Sequence, residues 1–164
     1  MRALLRLELR DPGGELVATR VARNAVLTSG AGLIARLFAG TAGAAGITHM
    51  SVGSSNALEG DGFATAALDV STLTGVTEAP ISPDAFQIDA PDPVRRVVRV
   101  RVRGTIPAEG AIGKICEAAL VSRSGDSVHL YNRVTFSPVD KKDDHELTLF
   151  WEVGFPYGDL QWLL

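Results

Sequence analysis

Leu27-Thr28-Ser29-Gly30-Ala31-Gly32-Leu33-Ile34-Ala35-Arg36-Leu37-Phe38-Ala39-Gly40 is the one stretch that reads cleanly as a helix in a chain otherwise patterned as strands. Leu33, Ile34, Leu37 and Phe38 recur at i, i+1, i+4 and i+5, which puts them on one face of a helix of period 3.6. Thr28 or Ser29 is suited to cap its start, and Gly40 to follow its end. A helix this short is marginal alone in water, so a sheet must hold it. The expectation is that Leu33, Ile34, Leu37 and Phe38 plug the core between strands.

Outward from the helix, the pattern changes to period two. Before it, Ala3, Leu5, Leu7 and Leu9 alternate with Arg6 and Glu8, and Asp11-Pro12-Gly13-Gly14 is a strong turn. A return strand runs over 15–26. After the helix come a small-residue loop over 40–46 and a short strand over 47–53. Residues 54–92 are weakly patterned and rich in small residues. They read as an extended arm or covering loop, with strand pieces near Gly75–Val76 and Phe86–Ile88.

The second half is plainer. Strands are expected over 94–106, 112–122, 127–137 and 146–155, and Ser124-Gly125-Asp126 is a hairpin turn. The last three strands read as an antiparallel meander. Leu147, Leu149, Trp151 and Val153 face one way along the final strand and belong to the core. The predicted fold is mainly β: an antiparallel β-sandwich over residues 1–164, a single domain with one short α-helix packed on it.

Composition narrows the functional classes. The 164 residues carry a formal net charge of −3, so bulk charge does not draw the chain to nucleic acid or an anionic membrane. No apolar run is long enough to span a membrane as a helix. Arg6, Glu8 and Arg10 interrupt any secretory h-region. The single cysteine, Cys116, excludes an internal disulfide framework and reads as a small buried hydrophobe.

Chemistry-bearing motifs are absent from the sequence. His49, His129 and His145 share no metal-ligand spacing, and no phosphate loop, dinucleotide fingerprint or G-x-S-x-G appears. Asn56, Glu59, Asp61 and Asp69 form an acidic cluster whose spacing is not that of an EF-hand, so it reads as a solvated turn. The expectation is a non-enzymatic protein with no cofactor.

Two features point instead to contacts. Arg99, Arg101 and Arg103 alternate with Val98, Val100 and Val102, which places all three guanidinia on one sheet face. That face reads as solvent, paired with carboxylates such as Glu117 or Glu152, as a protein interface, or, least favoured, as a phosphate ladder. The segment 156–164 ends in Leu160, Trp162, Leu163 and Leu164, apolar side chains that need cover from this domain or a neighbour.

The order of segments also resembles a family of tailed-bacteriophage structural proteins: tail, baseplate, collar and fibre-associated components, found too in phage-tail-like contractile injection particles. Asn24-Ala25-Val26-Leu27-Thr28-Ser29-Gly30 is similar to that family's N-x-V-T-x-x-G opening of a helix, and the strand ending at Gly53 follows it. Ile115-Cys116-Glu117-Ala118-Ala119-Leu120-Val121 is similar to its E-x-G-L-F strand, with alanines where the pattern has glycine. Ser124-Gly125-Asp126, then Tyr131-Asn132-Arg133-Val134-Thr135-Phe136, sit at its S-G-G turn and R-x-x-F strand. Val139-Asp140-Lys141-Lys142 and Leu147-Thr148-Leu149-Phe150-Trp151 resemble its P-I-x-K and L-x-I-x-W endings.

The resemblance implies a virion or tail-like particle subunit, assembled in the host cytoplasm. Its partners would be copies of itself and other particle proteins, with no membrane. The competing class is a receptor-binding module, a carbohydrate- or ligand-binding β-sandwich. It would hold a surface glycan on Tyr131, Trp151, Tyr157 or Trp162.

Overall fold

The computed structural model describes residues 2–159. They form two antiparallel sheets packed face to face, the expected β-sandwich. β1 (Arg2–Arg10), β2 (Leu16–Arg23), β6 (Gln87–Ile88), β7 (Val97–Ile106) and β11 (Glu146–Pro156) make one sheet in the order β2-β1-β11-β7-β6. The second sheet has the order β3-β10-β8-β4-β5, from β3 (Ala25–Val26), β10 (Asn132–Lys141), β8 (Gly113–Ser124), β4 (His49–Gly53) and β5 (Glu78–Pro80). β9 (Ser127–Leu130) pairs with the end of β8.

The core lies between the sheets. Leu5, Leu7 and Leu9 of β1 and Leu147, Leu149, Trp151 and Val153 of β11 face Met50, Val52, Ile115, Ala118, Leu120 and Val134 of the second sheet. The alternation read along β1 and β11 is therefore the alternation of core and solvent.

Three strand expectations need correction. The expected meander is split, because β11 crosses to the other sheet and lies between β1 and β7. The strand expected over 127–137 breaks at Tyr131: the Tyr131 N–H donates to the Leu120 carbonyl, and the Asn132 side chain accepts from the Leu120 N–H. That kink drives the Tyr131 ring into the core, where it is 3% exposed. The return strand expected over 15–26 breaks at Asn24, which sends β2 into one sheet and β3 into the other.

The helix α1 (Thr28–Phe38) forms where expected, but two of its expected roles fail. Its N-cap is Leu27, with no side-chain cap. Thr28 and Ser29 spend their hydroxyls elsewhere, donating to the carbonyls of Phe63 and Leu130, and the Phe63 carbonyl also takes the Thr28 N–H. A loop carbonyl thus replaces the side-chain cap. Leu33 is buried and Ile34 packs on the core. Leu37 is partly exposed, and Phe38 is 95% exposed. Only the first turns of α1 meet the sandwich, so the face loses its neighbours before Phe38. Gly40 follows at φ 66°, the left-handed turn expected after the helix.

Residues 54–92 lie against the domain rather than projecting as an arm: the first part covers β8, and the rest supplies the edge strands β5 and β6, the first of them a few residues beyond the strand piece expected near Gly75–Val76. β8 is buried from Ile115 through Ser122, on both faces. Its inner face meets the core, while Ala119 and Val121 on the outer face pack with Leu27, Leu130 and Leu68. Thr74 bridges Ile112, and Ala79 and Ile81 reach the core.

Candidate functional site

A buried ionic network fixes that cover. Glu117 on β8 is 1% exposed and Arg133 on β10 is 5% exposed. Arg133 Nε donates to Glu117 Oε2 at 2.6 Å, and Arg133 NH1 reaches Glu59 Oε1 at 3.0 Å. Glu117 Oε1 accepts the N–H groups of Ser55 at 3.2 Å and Asp69 at 2.9 Å. Thr65 donates its hydroxyl to Glu59. Every charge here has a counter-charge and a further hydrogen-bond partner, which is what allows charges to be buried. Of the acidic cluster, the Glu59 carboxylate is taken up by Arg133 and Thr65, and the exposed Asp69 carboxylate accepts from the N–H and hydroxyl of Ser71. Among the described residues no group of three carboxylate, histidine or cysteine side chains could hold a metal ion.

The surface available for contacts is the outer face of the five-stranded sheet. Alternation turns Leu4 and Arg6 of β1, Val21 and Arg23 of β2, Phe150 and Glu152 of β11 and Arg99, Arg101 and Arg103 of β7 outward. Register sets them in rows: Val21, Arg6, Phe150 and Arg103 cross the sheet side by side, followed by Arg23, Leu4, Glu152 and Arg101. The Arg6 guanidinium lies 4.0 Å over the Phe150 ring, an exposed cation–π contact. Phe150 therefore has the cover that its place in the polar alternation required.

The three predicted arginines do share this face but are not equivalent. Arg99 pairs with Asp92 at 3.0 Å and Glu152 at 3.2 Å. Arg101 pairs with Asp89 at 2.8 Å and, more loosely, with Glu152. Among the described residues Arg103 has no ion-pair partner. Glu152 is thus the expected cross-strand carboxylate. Glu117 is not, since it lies inside the other sheet. Asp92 is held below the usual carboxylate range, first by the Arg95 N–H, against an opposing effect of desolvation, with Arg99 reinforcing.

A depression of about 580 Å³ runs along this face, with Leu4, Val21 and Phe150 among its apolar lining and Arg6, Arg101 and Arg103 among its charges. The arrangement suits protein docking: an apolar centre with guanidinia able to take carboxylates. The other predicted residues fall elsewhere. Leu160, Trp162, Leu163 and Leu164 lie outside the described residues. Tyr131 and Trp151 are buried, and Tyr157 is exposed with its hydroxyl on the Asp92 carbonyl. His49, His129 and His145 sit on β4, on β9 and in the turn before β11. Cys116 is buried, which pushes its thiol up, with the Glu117 charge adding and Lys114 opposing.

Sequence reasoning placed the arginine face but missed the Glu117–Arg133 pair. The signal was there: one carboxylate inside the apolar run Ile115–Val121, and one guanidinium inside the buried stretch Leu130–Val134. No family model, no curated protein and no solved structure matches this chain.

Proposed function

We propose that this chain is a non-enzymatic structural subunit of a phage tail or phage-tail-like particle, acting by self-assembly and docking. The observation that carries the reading is where the family-like motif residues sit. Asn24 accepts the Ala3 N–H and starts the switch between sheets. Gly30 lies so close to Tyr131 that a Cβ would overlap its carbonyl, and a Cβ at Gly53 would overlap the Glu117 carboxylate. Glu117 and Arg133 form the buried pair, Lys141 is buried with its ammonium on the Ala108 carbonyl, and Trp151 fills the core. The motif residues are those on which the sandwich depends, and none of them meets in an open cleft. Such a motif set suits a protein whose product is a shape.

Docking would use the outer face of the five-stranded sheet, through Leu4, Val21, Phe150 and Arg103, which has no ion pair among the described residues. Many copies would turn weak single contacts into a stable particle.

The test is quantitative mass spectrometry of tail or tail-like particles purified from the producing cell. The chain should be present in fixed stoichiometry with the other particle proteins. Its recovery only as free protein, with none in particles, would overturn the reading.

A further inference from the structure

The antiparallel register gives the five-stranded sheet two chemically opposite ends. Arg2, Gly154 and Arg99 lie in one row at one end, with Arg23 in the next row, and Arg95 and Arg96 immediately precede β7 there. Arg10 and Glu146 are paired at the other end, beyond which lie the turn 11–15, the loop 107–112 and the turn 142–145. Eight residue steps along β1 separate Arg2 from Arg10, about 27 Å of strand.

The first end is basic and hollow. Arg2, Arg23, Arg95 and Arg99 line a depression of about 770 Å³, with Leu4, Val97 and Pro156 among its apolar walls and Glu152 its carboxylate. Arg99 is neutralised by Asp92 and Glu152. Among the described residues the guanidinia of Arg2, Arg23 and Arg95 have no ion-pair partner, and all three residues are exposed.

The second end is acidic. Asp11, Glu15, Glu109, Asp143, Asp144 and Glu146 gather there, and four of them act electrostatically on the one ammonium of Lys141. Among the described residues these carboxylates make no ion pair, apart from a 3.6 Å contact between Asp144 and His145. The cations at this end are Arg10, taken up by Glu8, the buried Lys141, and the exposed Lys114 and Lys142.

We infer that the basic depression of one copy receives the acidic end of a second copy, so that chains associate head to tail along the strand direction. The occupant follows from charge complementarity: unpaired guanidinia at one end meet unpaired carboxylates at the other, in a chain whose net charge of −3 opposes any unspecific like-to-like contact. The contact is heterologous. A pair of copies keeps one unused end of each kind between them, and the series continues or closes into a ring. One sandwich end is small against the roughly 1,200–2,000 Å² that a stable interface buries, so each contact is weak and strongly screened by salt. This inference rests on the self-assembly half of the proposed function.

The experiment is sedimentation velocity of the full chain at low and at physiological ionic strength, with two neutralised variants, Arg23→Gln/Arg95→Gln and Asp143→Asn/Asp144→Asn. The substituted side chains are exposed, so unchanged melting confirms folding. The wild type should associate at low salt and dissociate as salt rises, and each variant alone should remain monomeric. Mixing the two should restore a one-to-one dimer and nothing larger, since only one compatible pair of ends survives. A wild type that associates while either variant does so equally well overturns the end-to-end contact and leaves self-assembly standing. A wild type that stays monomeric at low salt, at every loading, overturns both the contact and self-assembly of the isolated chain. Incorporation into particles is a separate measurement, so failure of the proposed function is told apart from either result.

Discussion

Arg133 Nε and Glu117 Oε2 stand 2.6 Å apart between β10 and β8, with both side chains almost wholly shut from solvent. Glu117 also holds the N–H groups of Ser55 and Asp69, so a single carboxylate ties the cover segment to the sheet. Glu117→Ala leaves Arg133 only Glu59 as counter-charge and two amides unpaired. It should cost about 3–5 kcal/mol of stability, the range for breaking a buried pair. Urea unfolding reads the loss, and faster hydrogen exchange at the Ser55 and Asp69 amides should accompany it. A loss below about 1 kcal/mol would rank the pair with surface ion pairs.

Gly30 and Gly53 matter through space rather than through backbone freedom. At both, an added methyl collides: with the Tyr131 backbone at Gly30, and with the Glu117 carboxylate at Gly53. Gly30→Ala should destabilise by about 1–3 kcal/mol, as overpacking does, because a sheet kink cannot yield as a side chain can. Gly43→Ala is no control, since φ is positive there. Gly46→Ala, with open space around it, should stay within about 0.5 kcal/mol of wild type. Equal effects at Gly30 and Gly46 would contradict the packing argument.

The sequence read some of this and not the rest for physical reasons. The hairpin at 11–14, the helix and the alternation of β1 and β11 were legible because turn chemistry and periodicity are local. The split of the expected meander was not. Short links join β10 to β11 whichever sheet β11 enters, and the choice depends on β1, more than a hundred residues away in sequence. Glu117 looked available to the arginine face because both lie on strands. Nothing local says that residues 54–72 will cover it.

Helix burial is the sharpest case for a test. Leu33 and Phe38 stand about 140° apart round the helix, and Leu33 is 1% exposed against 95% for Phe38. Leu33→Ala should cost about 2–5 kcal/mol. Phe38→Ser should lie within about 0.5 kcal/mol of wild type and improve solubility. Thermal melts of the two variants decide it. A large loss from Phe38→Ser would return that ring to the core.

The alkaline limb of stability should report Tyr131. Burial raises its pKa above the ordinary value near 10. A group raised on folding contributes stability that is whole below its unfolded pKa and is lost as pH climbs through the folded one. Cys116 acts in the same sense. Lys141, lowered chiefly by burial, acts in the opposite sense, so the informative quantity is a difference between variants. Tyr131→Phe should flatten the fall in stability above about pH 10, measured by urea midpoints against pH. An unchanged slope would mean that Tyr131 ionises alike in both states.

Arg103 separates an interface from a solvated face. Arg99 and Arg101 are held by Asp92, Asp89 and Glu152, so reversing them breaks contacts within the chain and confounds any assembly assay. Arg103 lines the same depression beside Phe150, with no ion pair to lose among the described residues. Arg103→Glu should therefore leave stability within about 0.5 kcal/mol of wild type. If the outer face docks in a particle, it should exclude the chain from that particle, because a carboxylate would then stand against the groups that receive a guanidinium. The readout is co-sedimentation with purified particles, with Ala31→Glu/Ala35→Glu, exposed on α1, as a control of equal net charge away from the face. Equal incorporation of Arg103→Glu and the control would return Arg103 to solvent and move the docking surface elsewhere on the sandwich.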